Sequence, residues 1–275
     1  MNTSETITVH CARGAQCMAR NEFSRAANAY QDALECDRSC LLAMEGLAMA
    51  HWHQLLEFDL SLKQAKPPTA GQTLEEQIAG SQHLAQSDSI TIDGVPVATD
   101  HMLKMLDLAP RTADELTAAF EAGSERADLC VALARTPGVS SEIRESALSR
   151  ALQLDPASGW AHYCRGMDHV RAGEYRQALD CLCAAVKAEP GNGEWRSELG
   201  NVYINLGRWT DAQAHLLVAI RVAPSFASGW YNLGTAYFKD GQRAAAMKCY
   251  RRFLEIEPGS LSARQLMQMI PELQP

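Results

Sequence analysis

An all-α fold, built as an α-solenoid of repeated helix-turn-helix units, is predicted by three features of this 275-residue sequence. Pro156, Pro190, Pro224 and Pro258 follow one another at intervals of 34 residues. Between these prolines, small and apolar residues recur at the three- and four-residue spacing typical of one helix face. The fragments between prolines also resemble each other, and repetition at this period is typical of stacked helix pairs, none of which buries its apolar face alone.

The predicted array occupies residues 124–275. Its units are expected at about 125–158, 159–192, 193–226 and 227–260, followed by a closing helix at 261–270. The first unit is the least regular, because Arg144 stands where the others carry a small residue.

Residues 1–62 are predicted to form N-terminal helices with one degenerate repeat. Gly14 precedes Ala26 by twelve residues, as Gly234 precedes Ala246. A further helix is expected from about Cys40 to Leu62.

Residues 63–123 lack the repeat and are predicted to be an irregular insert with short helices. Pro67 and Pro68 indicate a loop, and a short helix is expected at 74–86. The stretch SITIDGVPVATD carries a hairpin signal, but its proline favours an extended surface loop over a hairpin. Asp100 should begin a short helix that ends at Pro110, and Thr112 should cap another.

Composition restricts the class of protein. The chain is 47% hydrophobic and 21% charged, as a folded protein is. Its net charge of −8 argues against nucleic acid as the main partner. Residues 1–158 hold 12 Lys and Arg against 22 Asp and Glu, whereas residues 159–260 hold 12 against 10, so the negative charge belongs to the N-terminal half.

The start of the chain shows no signal-peptide pattern, and no apolar run is long enough for a membrane helix, so no membrane insertion is expected. The nine cysteines are odd in number and scattered. We therefore expect reduced thiols in a cytoplasmic protein.

The last unit resembles the tetratricopeptide repeat family. Its residues follow the family pattern W-x2-L-G-x2-Y, then A-x3-aromatic, then proline. They are Trp230, Leu233, Gly234, Tyr237, Ala246, Tyr250 and Pro258.

This resemblance implies a right-handed superhelix whose concave groove, lined by the first helix of each unit, binds partner peptides. The implied groove positions include Cys164 and Ser197. Those expected to carry the function are Tyr163, Arg171, Glu198, Asn201, Asn205, Tyr231, Asn232 and Lys239. Trp160 is either core filler or an exposed groove anchor.

The resemblance also bears on the kind of peptide. Asn201 and Asn232 stand where the family uses amides to bond a peptide backbone. The family's clamp for acidic tails needs basic groove residues, and Ser197, Ser262 and Leu266 stand in their places. A neutral or amphipathic peptide or helix therefore fits better.

No motif for catalysis or cofactor binding is recognised, so neither an enzyme nor a cofactor is predicted. Cys181 and Cys183 lie two apart on a predicted helix and point to different sides, which does not favour a metal site. No metal site is predicted.

The sequence therefore favours a non-catalytic adaptor or assembly factor that binds a protein or peptide in the groove. Two alternatives stay open. One is a metal- or cofactor-handling protein that uses its N-terminal Cys and His residues. The other is an accessory subunit that docks on an enzyme through residues 67–100. The oligomeric state is left open.

Overall fold

The described part of the chain, residues 3–64, 89–92 and 95–270 of a computed structural model, holds thirteen α-helices and two short β-strands. The predicted all-α class is confirmed. The described residues fall into two compact units that divide after Pro156. The predicted loop at Pro67 and Pro68 and the predicted helix at 74–86 lie outside the described residues.

The first unit contains six helices and the two strands. These elements are α1 (Thr3–Ala19), α2 (Phe23–Cys36), α3 (Leu41–Gln64), β1 (Ser89–Ile92), β2 (Val95–Ala98), α4 (Thr99–Glu121), α5 (Ala127–Arg135) and α6 (Ser141–Leu154). Successive helices pack on each other, and α3 also contacts α1 and α5. The predicted helix at about 40–62 is confirmed as α3.

Tyr30 of α2 fills the space where α1 and α3 approach it. A β-carbon at Gly14 would lie 2.7 Å from its ring, and one at Gly46 would lie 2.4 Å from it. Gly234 meets Tyr250 in the same way, at 2.5 Å. Gly14 and Gly234 occupy matching places in their repeats. Each therefore leaves room for the aromatic ring that follows sixteen residues later.

The prediction that Pro110 separates two short helices is wrong. One helix, α4, runs through Pro110 from Thr99 to Glu121. Pro110 is exposed, whereas Thr112, Leu116 and Ala119 lie on the buried side. Thr112 does not cap a helix but donates its hydroxyl to the carbonyl of Leu108 at 2.8 Å. The packing of α4 on α3 outweighs the hydrogen bond that a proline removes.

The preference for an extended loop over a hairpin is also wrong. β1 and β2 pair antiparallel, with Ile92 opposite Val95 and Thr91 opposite Pro96. Antiparallel pairs alternate between hydrogen-bonded and non-bonded, and the pair that flanks a two-residue connection is bonded. The next pair, which contains Pro96, is therefore non-bonded, and the missing N–H of proline costs no ladder bond.

The second unit consists of seven helices. They are α7 (Gly159–Arg171), α8 (Tyr175–Ala188), α9 (Gly193–Asn205), α10 (Trp209–Val222), α11 (Ala227–Lys239), α12 (Arg243–Ile256) and α13 (Leu261–Met269). Each helix from α7 to α12 packs on the next one, and α9 also packs directly on α11. The second unit is thus an α-solenoid of three helix pairs, followed by a thirteenth helix where the closing helix is expected.

Local signals fix where these helices begin and turn. Ser158, Asn192 and Ser260 each accept a hydrogen bond from the backbone N–H three residues later, which caps α7, α9 and α13. Between the helices of each pair the chain turns at a glycine with positive φ, such as Gly241 at 78°. Only glycine adopts that conformation without strain.

The core of the second unit lies between neighbouring helix pairs. Leu182, Trp195, Leu199, Leu216 and Leu233 form one cluster and are each at most 1% exposed. A second cluster joins α12 to α13. It includes Tyr250, Phe253 and Leu266 and buries the apolar face of the last pair.

Candidate functional site

The eight side chains predicted to carry the function all lie on α7, α9 and α11, the first helices of the three pairs in the second unit. We call this set the groove face. The direct packing of α9 on α11 brings residues of successive pairs together.

Three groove-face residues form a polar row along α9. The amide of Asn205 donates to the side-chain oxygen of Asn201 at 3.3 Å and to its carbonyl at 2.9 Å. Glu198 lies three residues before Asn201, and the Asn201 amide favours the charged form of its carboxylate. Asn205 is exposed, while Asn201 and Glu198 are half-buried, so one row of polar groups leads from the solvent to a carboxylate.

The electrostatics of Glu198 are unusual for a helix surface. Burial raises the pKa of Glu198, the hydrogen bond from Asn201 opposes that rise, and the negative charge of Glu194 adds to it. Within the described residues, no Lys, Arg or His is paired with this carboxylate. The ionised carboxylate of Glu198 is thus partly shielded from water, and its neighbours are neutral or acidic.

Asn232 joins α11 to α9. Its amide donates to the hydroxyl of Ser197 at 3.2 Å, and Ser197 is fully buried. The expectation that Ser197 and Cys164 line the groove is therefore wrong, since both are covered by neighbouring helices. Ser197 instead serves as a partner for Asn232.

Tyr163 belongs to an aromatic group on α7 and α9. Its ring stacks on that of Trp195, with centroids 5.3 Å apart, and Trp160 meets Trp195 edge-on at 5.0 Å. Trp195 is buried, whereas Trp160 and Tyr163 are half-buried. Trp160 therefore packs on the core while keeping part of its surface accessible. The sequence interpretation overlooked Trp195, although its helical spacing with Leu199 and Val202 marks it as a core residue.

Tyr231 is held by the helix pair to which it belongs. Its ring lies 5.3 Å from Phe253 and 6.1 Å from Tyr250. The hydroxyl of Tyr250 also contacts the hydroxyl of Thr235 at 3.4 Å. These contacts leave Tyr231 half-buried at the edge of the groove face.

The remaining groove-face residues stand in the last turns of their helices. Arg171 is exposed and pairs with Asp168 one turn earlier on α7. Lys239 ends α11 and is exposed, next to Phe238, which is 44% exposed. The structure thus places Glu198, Asn201 and Asn205 in one row on α9, while Tyr163 and Arg171 lie on separate parts of α7 and Tyr231 and Lys239 lie on separate parts of α11.

The thiols do not form a metal centre in the described part of the chain. No three His, Cys, Asp or Glu side chains converge there as metal ligands would. Burial raises the pKa of Cys11, Cys130 and Cys249 to about 11. Since metal ligation requires the thiolate, these surroundings oppose it.

The first unit has a cleft of about 520 Å³ that the sequence did not reveal. Near it, Nδ1 of His51 on α3 lies 2.6 Å from Oε2 of Glu115 on α4. The lining residues come from α2 and the turn after it, from α3 and from α4. They are Gln31, Leu34, Glu35, Arg38, Met44, Leu47, Glu115 and Ala118.

No helix in the described ranges is both long and apolar enough to cross a membrane.

Comparisons with known proteins agree with this architecture. A family model described as "TPR repeat" matches residues 200–241, and two described as "Tetratricopeptide repeat" match residues 227–260 and residues 18–54 and 163–212. Human RNA polymerase II-associated protein 3 is 25% identical over 108 residues, which are 39% of this chain and 16% of that protein. The chain therefore aligns with only a small part of that relative.

A solved structure gives the same fold. The pilF protein of Pseudomonas aeruginosa matches with a TM-score of 0.62 and 13% identity, over 98% of this chain and 100% of that one. The first such domain of Spaghetti (RPAP3), solved with the HSP90 peptide SRMEEVD, matches 43% of this chain and 94% of its own at 24% identity, with a TM-score of 0.40. The repeat-family matches, the 34-residue period and the stacked helix pairs agree, and the chain contains tetratricopeptide repeats.

Proposed function

We propose that this chain is a non-catalytic adaptor that binds a partner protein or peptide on the groove face of its second unit. The observation that supports this most is the polar row Glu198–Asn201–Asn205 on α9. The Asn205 amide bonds to Asn201, and within the described residues none of the three side chains hydrogen-bonds to another helix. A polar row that does not serve packing suits recognition of a partner.

The proposal also covers cofactors, the kind of partner and the location of the protein in the cell. An adaptor needs no cofactor or metal, and the net charge of −8 favours a protein partner over a nucleic acid. We place this adaptor in the cytoplasm, where nine cysteines would stay reduced.

A pull-down from a lysate of the source organism, read by quantitative mass spectrometry, tests the proposal. The test variant is Asn201→Ala with Asn205→Ala, because in the described part of the chain the hydrogen bonds of these amides stay within α9. Asn232 is less suitable, since its removal would leave the buried Ser197 hydroxyl without that donor. We expect the double variant to lose the bound partner, or to bind it at least about tenfold more weakly.

The matched control is Gln177→Ala, which removes an exposed amide from α8. It should bind every partner as the wild type does. Equal recovery of all partners by the double variant, at unchanged helicity, would show that the groove face is not the binding site.

A further inference from the structure

Glu198 is a groove-face carboxylate that has no cation beside it in the described part of the chain. Its carboxylate is half-buried on α9, and the neutral amide of Asn201, three residues later, favours its charged form. The charged group that acts on it is Glu194, one turn earlier on the same helix. Two acids therefore share one side of α9, and in the described residues neither forms an ion pair.

Such a carboxylate is destabilised in the free protein. Removing a charge from water costs free energy unless an opposite charge or several donors replace the water. Asn201 supplies one neutral donor, while Glu194 adds repulsion. A cation brought in by a partner would offset both effects, so this place on the groove face is electrostatically complementary to a basic side chain.

The apolar surroundings suit the stem of a long basic residue. Trp195 precedes Glu198 by three residues, so the two lie on neighbouring parts of the helix surface. The ring of Tyr163 stacks on Trp195 at 5.3 Å and stays half-exposed. A lysine or an arginine can pack its methylene stem, or its guanidinium plane, on an accessible ring such as that of Tyr163.

We propose that the groove face selects peptide segments that present a lysine or an arginine to Glu198. This inference rests on the proposed function and specifies its partner. An acidic segment would instead bring its carboxylates towards Glu198 and Glu194, and like-charge contact disfavours that partner.

Selection of phage-displayed random peptides on the full-length chain tests this inference. The wild type is compared with Glu198→Gln, with Glu198→Lys, and with Glu255→Gln as the control. Glu255 lies on α12 and is exposed in an ion pair with Arg252, so its loss should cost little. Fluorescence anisotropy then measures selected peptides, their analogues with Gln in place of the basic residue, and the acidic peptide SRMEEVD.

We expect lysine or arginine to be enriched at one position of the wild-type peptides. Glu198→Gln should weaken their binding by about tenfold, the size of one partly desolvated charge pair. Glu198→Lys should reverse the preference towards acidic peptides, and Glu255→Gln should change neither affinity nor selection.

Two results would overturn the inference, and only the first of them would leave the proposed function intact. If the peptides show no basic enrichment, and Asn201→Ala/Asn205→Ala abolishes their binding while Glu198→Gln does not, the groove face binds peptides but Glu198 does not select them. If neither the amide variant nor the Glu198 variants affect any peptide, the proposed function fails together with the inference.

Discussion

Gly200 lies on α9 directly against Leu216 of α10. A β-carbon there would lie 2.5 Å from Cγ of Leu216, a distance that real side chains do not show. Leu216 is itself fully buried and has little room to move. The close approach of Leu216 therefore explains why the repeat pattern requires a small residue at position 200.

Replacing Gly200 by alanine should destabilise the protein by about 1–3 kcal/mol, the usual cost of overpacking a core. Urea unfolding followed by circular dichroism measures this free energy. Gly191→Ala is the matched control, because nothing lies within 4 Å of the added methyl group. Equal stability of the two variants would mean that the helix crossing is looser than described.

The charge of Glu198 predicts a pH-dependent stability. Burial raises its pKa in the folded protein above the ordinary value of 4.5, with Glu194 as the neighbouring charge. The folded state therefore binds a proton more readily than the unfolded state, and stability falls as pH rises through the folded pKa. Above that pKa the ionised carboxylate destabilises the fold, and below 4.5 it does not.

Glu198→Gln should thus raise the melting temperature at about pH 7 and leave it unchanged at about pH 4 or below. Thermal unfolding at both pH values checks this, with Glu255→Gln as the control at both. A lower melting temperature at neutral pH would show that the ionised carboxylate stabilises the fold, and the electrostatic picture of the groove face would be wrong.

At the scale of elements, Asn192 determines where α9, which carries the polar row, begins. Its side-chain oxygen accepts the backbone N–H of Trp195 at 3.1 Å. Asn192→Ala should cost about 1 kcal/mol, and Asn192→Asp should retain most of the stability, since both Asn and Asp cap helices well. Chemical denaturation of the two variants decides the matter, and equal losses would contradict a capping role.

The sequence predicted helices and turns best where a residue acts through its own backbone conformation. Prolines at a fixed interval and turn glycines such as Gly241 act through their own backbone, and α7–α12 appear where they require. Pro110 and Pro96 misled the prediction for the opposite reason. Whether a proline ends an element depends on which side of it is buried or bonded. For Pro110 that is set by packing on α3, which is distant in sequence, and for Pro96 by the register of the hairpin.

The groove face could also be predicted only in part from the sequence. The resemblance to the tetratricopeptide repeat family placed all eight residues on the first helices of their pairs. It did not show that Asn232 of the next pair covers Ser197, or that Trp195 supports Tyr163. Both contacts depend on how closely α9 approaches its neighbours.

At the scale of the whole molecule, each unit is held together by its own core. The cluster around Tyr30 lies in the first unit, and the clusters around Leu199 and Tyr250 lie in the second. In the second unit, stability comes from contacts between successive helix pairs. We propose that the surface of the first helices serves a partner, and this division of roles is the central claim for the second unit.

Photo-crosslinking tests that claim most directly. A photoreactive phenylalanine analogue replaces Phe238 on α11 or, as the control, Leu217 on α10, which are 44% and 40% exposed. Both positions tolerate an aromatic ring without disturbing the core, and they differ in the helix layer that carries them. Our account predicts a crosslinked partner from position 238 and none from position 217, whereas crosslinking from position 217 alone, or equally from both, would contradict it.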